Sequence, residues 1–271
     1  MKLSKIINAG ALLLAGVLAG CTLTAPSTTA GSFVNARPEQ GVSRLVPDRL
    51  SAGGERITGS GRVITEQFNI RGFDRVDISH AFQVRIVQSD SYRVEVRVDD
   101  NLREHLRVEK RGDTLLIGLE PFRNSNLRDA IMEADVHMPE LRGLEVSGAS
   151  DVRLSGFTAG RDFELDVSGA SSVEGEITVR DVSMEVSGAS RIRLRGEAGE
   201  LELDVSGASD LDLSDFPVSD ARIKLSGASE AEVVLRGTLD IEASGASRLY
   251  FGGSPVMGRV ELSGASSIKR R

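Results

Sequence analysis

The stretch that decides the fold is Leu201-Glu202-Leu203-Asp204-Val205-Ser206-Gly207-Ala208-Ser209-Asp210-Leu211-Asp212-Leu213. Apolar and polar residues alternate up to Val205 and again from Leu211, the period of a strand with one buried face. With Ala208 read as the inward residue between them, the apolar series slips by one, from 201, 203, 205 to 208 and then to 211, 213. A straight strand cannot slip without turning its apolar side chains to the wrong face, so the tetrapeptide is expected to be a corner. Glycine permits a positive φ there, and the two serines can bond to the turning backbone.

Working outward, Ser-Gly-Ala-Ser begins at residues 147, 168, 187, 206, 226, 244 and 263, at intervals of 21, 19, 19, 20, 18 and 19. A catalytic loop is needed once; a motif on a nearly fixed period is architecture. Two residues before each glycine stand Val146, Val167, Val186, Val205, Leu225, Ala243 and Leu262. Four residues after it stand Val152, Val173, Ile192, Leu211, Ala231, Leu249 and Ile268. The predicted fold is all-β: a single-stranded parallel β-helix, or solenoid, with rungs of about 19 residues marked by SGAS. No rung can bury its apolar face alone, so stability must come from stacking. The closing Lys269-Arg270-Arg271 is expected to discourage a further strand from adding to the open end.

Before the repeats, Val63-Ile64-Thr65, Val76-Asp77-Ile78, Phe82 to Ile86, Tyr92 to Val98, Leu115 to Leu119 and Ala134 to Met138 also read as strands. Residues 101–106 form the one helical turn suggested by pattern, and Arg111-Gly112-Asp113 reads as a turn. The chain therefore divides into 1–20, 21–56, 57–140 and 141–271. Lys2 and Lys5 followed by an apolar run to Gly20 form a signal peptide, too short to span a bilayer as a stable helix. Leu18-Ala19-Gly20-Cys21 resembles a bacterial lipobox, which implies cleavage before Cys21 and acylation of that residue. Several acyl chains would hold the protein on a membrane, and Thr22, in place of an aspartate, favours an outer one. Residues 21–56, rich in Ser, Thr, Ala, Gly and Pro, read as a flexible tether.

Cys21 is the only cysteine, so an intramolecular disulfide is excluded. The whole sequence has 33 basic and 40 acidic residues, and removal of residues 1–20 takes away two lysines and no acid. That balance argues against a nucleic-acid partner and offers no basic patch for anionic lipid.

Gly59-Ser60-Gly61-Arg62-Val63, Gly72-Phe73-Asp74-Arg75-Val76-Asp77-Ile78 and Val84-Arg85-Ile86-Val87-Gln88 form one ordered series. Leu115-Leu116-Ile117, Met138-Pro139-Glu140-Leu141 and Leu144 to Ser150 continue it. The series resembles the head GIN domain family of bacterial envelope proteins, labelled auto-transporter adhesins, over most of residues 59–271. The resemblance implies a right-handed repetitive all-β solenoid and carries no catalytic residues.

Candidate chemistry is sparse. The residues two before each SGAS are Glu145, Asp166, Glu185, Asp204, Lys224, Glu242 and Glu261, an outward column acidic at six of seven places. A cation could relieve the repulsion, but a solvated acidic face is the simpler reading, with Arg153, Arg193, Arg222 and Lys269 in adjacent columns. The serine columns read as structural. His80, His105 and His137 have no metal-ligand spacing, and no serine has a histidine and acid spaced for nucleophilic catalysis. Gly59-Ser60-Gly61 lacks the lysine and helix of a phosphate loop and reads as a turn. With no Trp and only Tyr92 and Tyr250, a sugar-stacking platform is unsupported. No cofactor, metal or catalytic residue is assigned. The expected function is a non-catalytic binding or adhesion module on a tether, its partner an envelope or surface protein or a glycan. The rivals are a polysaccharide-acting β-helix enzyme and a structural protein assembling end to end.

Overall fold

In the computed structural model the described residues are 56–120, 126–158 and 160–271. The predicted signal peptide, Cys21 and the tether to residue 55 lie outside them. The first strands are β1 (Arg56–Thr58), β2 (Val63–Phe68), β3 (Arg75–Ile78), β4 (Gln83–Gln88) and β5 (Arg93–Asp99). A 3-10 turn, Asp100–His105, occupies the segment that reads as helical. Next come β6 (Leu106–Arg111), β7 (Thr114–Leu119), β8 (Asn126–Arg128) and β9 (Met132–Met138).

The SGAS part contributes β10 (Gly143–Val146), β11 (Asp151–Thr158), β12 (Phe163–Val167), β13 (Ser172–Thr178) and β14 (Val182–Val186). Two long strands, β15 (Arg191–Val205) and β16 (Asp210–Leu225), follow. The last are β17 (Glu230–Leu235), β18 (Thr238–Ala243), β19 (Arg248–Gly253), β20 (Val256–Leu262) and β21 (Ser267–Arg270).

Pairing makes these a parallel solenoid of about six turns with a rung spacing near 20 residues. Strands that precede a corner stack in the order β7, β3, β10, β12, β14, the later halves of β15 and β16, β18 and β20. Strands that follow a corner stack as β9, β4, β11, β13, the earlier halves of β15 and β16, β17, β19 and β21. β15 and β16 run through the second bend of their rungs, where the register shifts between Arg193 and Ala198 and between Leu213 and Val218. Between the two faces a continuous core runs from Phe73 to Leu249, with Phe157, Phe163 and Phe216 fully buried.

The corner itself differs from its reading in the sequence. The alanine of SGAS is exposed in all seven copies and the second serine is buried in the first six, as at Ala208 and Ser209. The inward series is therefore 201, 203, 205, 209, 211, 213, and its parity never slips. What turns the chain is the glycine: all seven SGAS glycines have φ between 69° and 81°. From the second SGAS onward, each alanine N–H donates to the glycine carbonyl of the preceding corner, as from Ala208 to Gly188 at 2.8 Å. The buried serine donates its hydroxyl to the carbonyl of the first serine, as from Ser229 to Ser226 at 2.9 Å. An inward hydroxyl is tolerated because it is satisfied within its own corner.

The stack also extends below the first SGAS. β3 and β4 are joined by Ser79-His80-Ala81-Phe82, a corner with His80 at the glycine position, φ 76°, and buried Phe82 at the serine position. Ala149 N–H donates to the His80 carbonyl at 2.6 Å, the same bond that joins later corners. Beyond this rung the chain turns back on itself. β6 pairs antiparallel with β7, and β2 and β5 add antiparallel strands beside β9. β1 and β8 form a separate parallel pair.

At the other end the last rung departs from expectation. Leu262 is 48% exposed, whereas Ala243, its partner one rung earlier, is 2% exposed. Two of the three closing basic residues, Arg270 and Arg271, are engaged with earlier rungs. Arg270 donates to the Gly253 carbonyl at 2.6 Å and to Ser254 Oγ at 2.8 Å. Arg271 pairs with Glu232 and lies over the Tyr250 ring, 4.7 Å from its centroid. Both turn back onto earlier rungs.

Candidate functional site

In-register stacking makes each outward position a column that runs the length of the solenoid. The acidic column is real and longer than the SGAS repeat: Glu145 pairs in register with Asp77 on one side and Asp166 on the other. Glu185, Asp204, Lys224, Glu242 and Glu261 continue it. Neighbouring carboxylates thus sit on strands about 4.8 Å apart. Part of the ladder lines a shallow groove of about 450 Å³ with Ser168, Ser187 and Ser206.

Burial pushes the carboxyls of Asp77, Glu145 and Asp166 above their ordinary range. Asp77 adds to the rise at Glu145, and Glu164 and Glu185 add to it at Asp166; Arg107 opposes it at Asp77. Among the described residues, no group of three or more His, Cys, Asp or Glu is placed to hold a metal ion. The arginines expected beside the ladder are mostly elsewhere. Arg153 and Arg193 lie on the strands after the corner, beside Asp151 at 3.8 Å and Asp212 at 3.0 Å. Lys269 is on β21 of that same face; only Arg222, in register with Glu202, stands next to the acidic column. One face is thus charge-balanced and the other is acidic.

A concavity of about 860 Å³ lies on the acidic face towards the second bend. Arg75, Arg142, Arg161 and Arg180 line it together with Glu164 and Glu202. Arg75 pairs with Glu164 at 2.7 Å by crossing Gly143, the residue between them in the column. A Cβ at Gly143 would stand 2.7 Å from the Arg75 guanidinium, so glycine is what opens this path. Arg142 bridges Glu140 at 2.9 Å and Asp74 at 3.3 Å, Arg161 reaches Glu140 at 2.6 Å, and Arg180 pairs with Asp162. The arrangement is a row of partly exposed donors and acceptors fixed by the stack, suited to hydrogen bonding along an extended ligand. The reading of the sequence missed it, although Arg142, Arg161 and Arg180 recur at the 19-residue period.

The remaining candidates resolve into structure. His80 lies at the first corner, with Nδ1 2.9 Å from Ser79 Oγ and 3.3 Å from the Leu119 amide N–H that it accepts. Burial lowers its pKa, in keeping with a neutral acceptor. His105 ends the 3-10 turn and His137 is on β9, so the three histidines occupy separate elements. Gly59-Ser60-Gly61 is a turn closed by Asp99, a fully buried carboxylate that accepts N–H bonds from Gly61 at 2.9 Å and Ile131 at 2.8 Å. No helix among the described residues is long and apolar enough to cross a membrane.

Comparison with known proteins agrees with this geometry. A putative adhesin from Bacteroides fragilis NCTC 9343 superposes with a TM-score of 0.71 at 18% identity, covering 79% of this chain and 100% of that one. A putative lipid binding protein from Parabacteroides distasonis ATCC 8503 gives 0.63 at 19% identity, covering 80% and 100%. A putative adhesin from the same strain gives 0.65 at 16% identity, again covering 80% and 100%. At these identities the likeness is one of fold. No curated protein matches the chain. Residues 72–255 match the family model described as "Putative auto-transporter adhesin, head GIN domain", and the chain belongs to that family.

Proposed function

We propose that this chain is a lipid-anchored envelope protein, held through Cys21 at the outer membrane, which presents its solenoid on the 21–56 tether as a non-catalytic binding or adhesion module. The observation that carries the reading is the row of arginine–carboxylate pairs in the groove of Arg75, Arg142, Arg161 and Arg180, repeated along the stack rather than gathered at one point. A periodic surface of this kind fits an extended partner, a surface protein or a glycan, whose own groups recur along its length. The adhesin description of the family supports the same class, and the lipobox supports the anchor.

The test uses cells producing the full chain. Protease added outside intact cells should remove the solenoid, and Cys21→Ser should move the protein from the membrane to the soluble fraction. A solenoid fully protected in intact cells would overturn surface adhesion. A Cys21→Ser protein that stays with the membrane would overturn the lipid anchor.

A further inference from the structure

We infer that His80 is an acid-sensitive latch: neutral, it fastens the closing strand β7 to the first corner of the solenoid, and protonated, it releases that strand. Among the described residues, His80 and Asp129 are the non-glycine residues with positive φ. His80 holds φ 76° at the place where each SGAS corner has glycine. Such a conformation persists where the surroundings fix it and the side chain is needed.

The side chain completes a ladder. Ser79 N–H donates to the Ile117 carbonyl at 3.1 Å, and the next donor along β7 is the N–H of Leu119. A parallel ladder would offer that donor a backbone carbonyl. Here it is met instead by His80 Nδ1, at 3.3 Å. Gly118 makes the approach possible, since a Cβ there would collide with Ser79 Oγ and stand 3.3 Å from Nδ1. Leu119 is buried, so water is no substitute partner for its N–H.

Protonation inverts the contact. An acceptor Nδ1 puts the ring hydrogen on Nε2, whereas imidazolium carries a hydrogen on both nitrogens and accepts nothing. Ser79 Oγ, 2.9 Å from Nδ1, can then accept from the ring, which leaves the Leu119 N–H facing a donor. β7 and the next corner, Ser147 to Ser150, bear no ionisable side chain. The charged groups on the surrounding elements are Asp77 on β3, Arg107 on β6 (paired with Glu109), Glu145 on β10 and Asp151 on β11. His105 and Glu120 lie beside the C-terminal end of β7. The lowered pKa of His80 comes from burial, opposed by a backbone hydrogen bond at Ser79, and from none of these charges. A histidine held neutral by folding contributes stability above its ordinary range, about pH 6.5, that is lost as pH falls. Asp77 and Glu145 act in the opposite sense, because their raised carboxyls favour the folded chain in acid.

The test is hydrogen exchange of the full chain in detergent micelles at about pH 7.5 and about pH 5.5, on either side of the ordinary histidine range. Mass spectrometry reads fragments carrying β7 and β14, scaled to unfolded-chain rates at each pH. Opening of the Leu119 fragment should rise at the lower pH by about threefold to tenfold, tenfold being the limit for one proton. β14, further along the stack, should keep its protection. His80→Asn is the rescue: asparagine tolerates positive φ and sets its amide oxygen where Nδ1 stood, without titrating. It should hold Leu119 equally at both pH values. His80→Gly, which lacks the acceptor, should leave Leu119 equally open at both. Equal protection of β7 at the two pH values in the parent chain would overturn the inference, as would an acid loss that persists in His80→Asn. A loss shared by β14 would assign the effect to global unfolding and overturn it likewise.

Discussion

Replacing Gly207 by alanine adds one methyl group, and its cost can be worked from two separate causes. The first is local: Gly207 has φ 81°, and an L-residue held there costs about 1–2 kcal/mol. The second is the stack. A Cβ at Gly207 would stand under 3.0 Å from the Gly188 carbonyl oxygen, a separation that real Cβ atoms essentially never show. That oxygen already accepts the Ala208 N–H at 2.8 Å, so the rungs cannot part without stretching the bond. Losing that bond costs about 0.5–1.5 kcal/mol more. The sum is about 1.5–3.5 kcal/mol, which for a domain of this size lowers the melting temperature by roughly 3–14 °C.

Gly112→Ala is the control. Gly112 also has positive φ, 63°, but nothing lies within 4 Å of a Cβ built there. It bears the first cost without the second, so its shift should be only about 2–8 °C. Thermal melts followed by far-ultraviolet circular dichroism measure both. Equal shifts for the two variants would refute the stacking cause, and no shift at Gly207 would refute both causes.

Ser229→Ala removes a buried hydroxyl that bonds the Ser226 carbonyl at 2.9 Å and should cost about 1 kcal/mol, while Ser226→Ala, at a part-exposed position, should fall within about 0.5 kcal/mol by denaturant titration. Phe216→Ala empties a fully buried site and should cost about 3–5 kcal/mol in the same assay. For Glu145, the carboxyl is raised in the folded state, so the folded chain holds its proton more tightly than the unfolded one. Stability tied to this group is therefore greatest below the ordinary carboxylate range, near pH 4, and is lost as pH rises through the raised folded value. Glu145→Gln should accordingly raise the melting temperature at neutral pH, with the gain vanishing as pH falls below about 4; a gain that persists in acid would show that ladder charge is not its cause.

Periodicity made the rungs legible because each rung solves the same packing problem with the same residues. Val205, Leu211 and their counterparts could be placed inward by counting alone. The inward residue of the corner could not, because hydrophobicity favours Ala208 over Ser209 and only the backbone shows that the Ser209 hydroxyl is satisfied inside its own turn. The acidic column was legible at its SGAS positions but not at Asp77, which joins it only through the register of β3 with β10. The arginine groove depends on contacts between rungs, such as Arg75 reaching Glu164 over Gly143, and a list of residues does not show which rung lies next to which. β6 was missed because Leu106 to Arg111 carries mostly charged residues on an edge strand, where burial gives no alternating signal.

The same contact that builds the stack explains where the written repeat begins. In each SGAS corner, a Cβ on the glycine would collide with the corner before it, never with the corner after it. Among the described residues the first corner of the solenoid has no earlier corner, so the requirement lapses there, and Ser79-His80-Ala81-Phe82 turns with a histidine in place of glycine. That histidine fills the space and accepts the Leu119 N–H from the strand that closes the end. The last corner has an earlier one, at Gly245, and there the glycine persists as Gly264, even though the rung beyond it is open. The motif is therefore the imprint of a one-sided contact. His80→Gly should leave the stack intact, whereas Gly148→His, which sets a side chain against the His80 carbonyl, should prevent the second corner from docking on the first; a Gly148→His protein that melts like the parent would refute the one-sided rule.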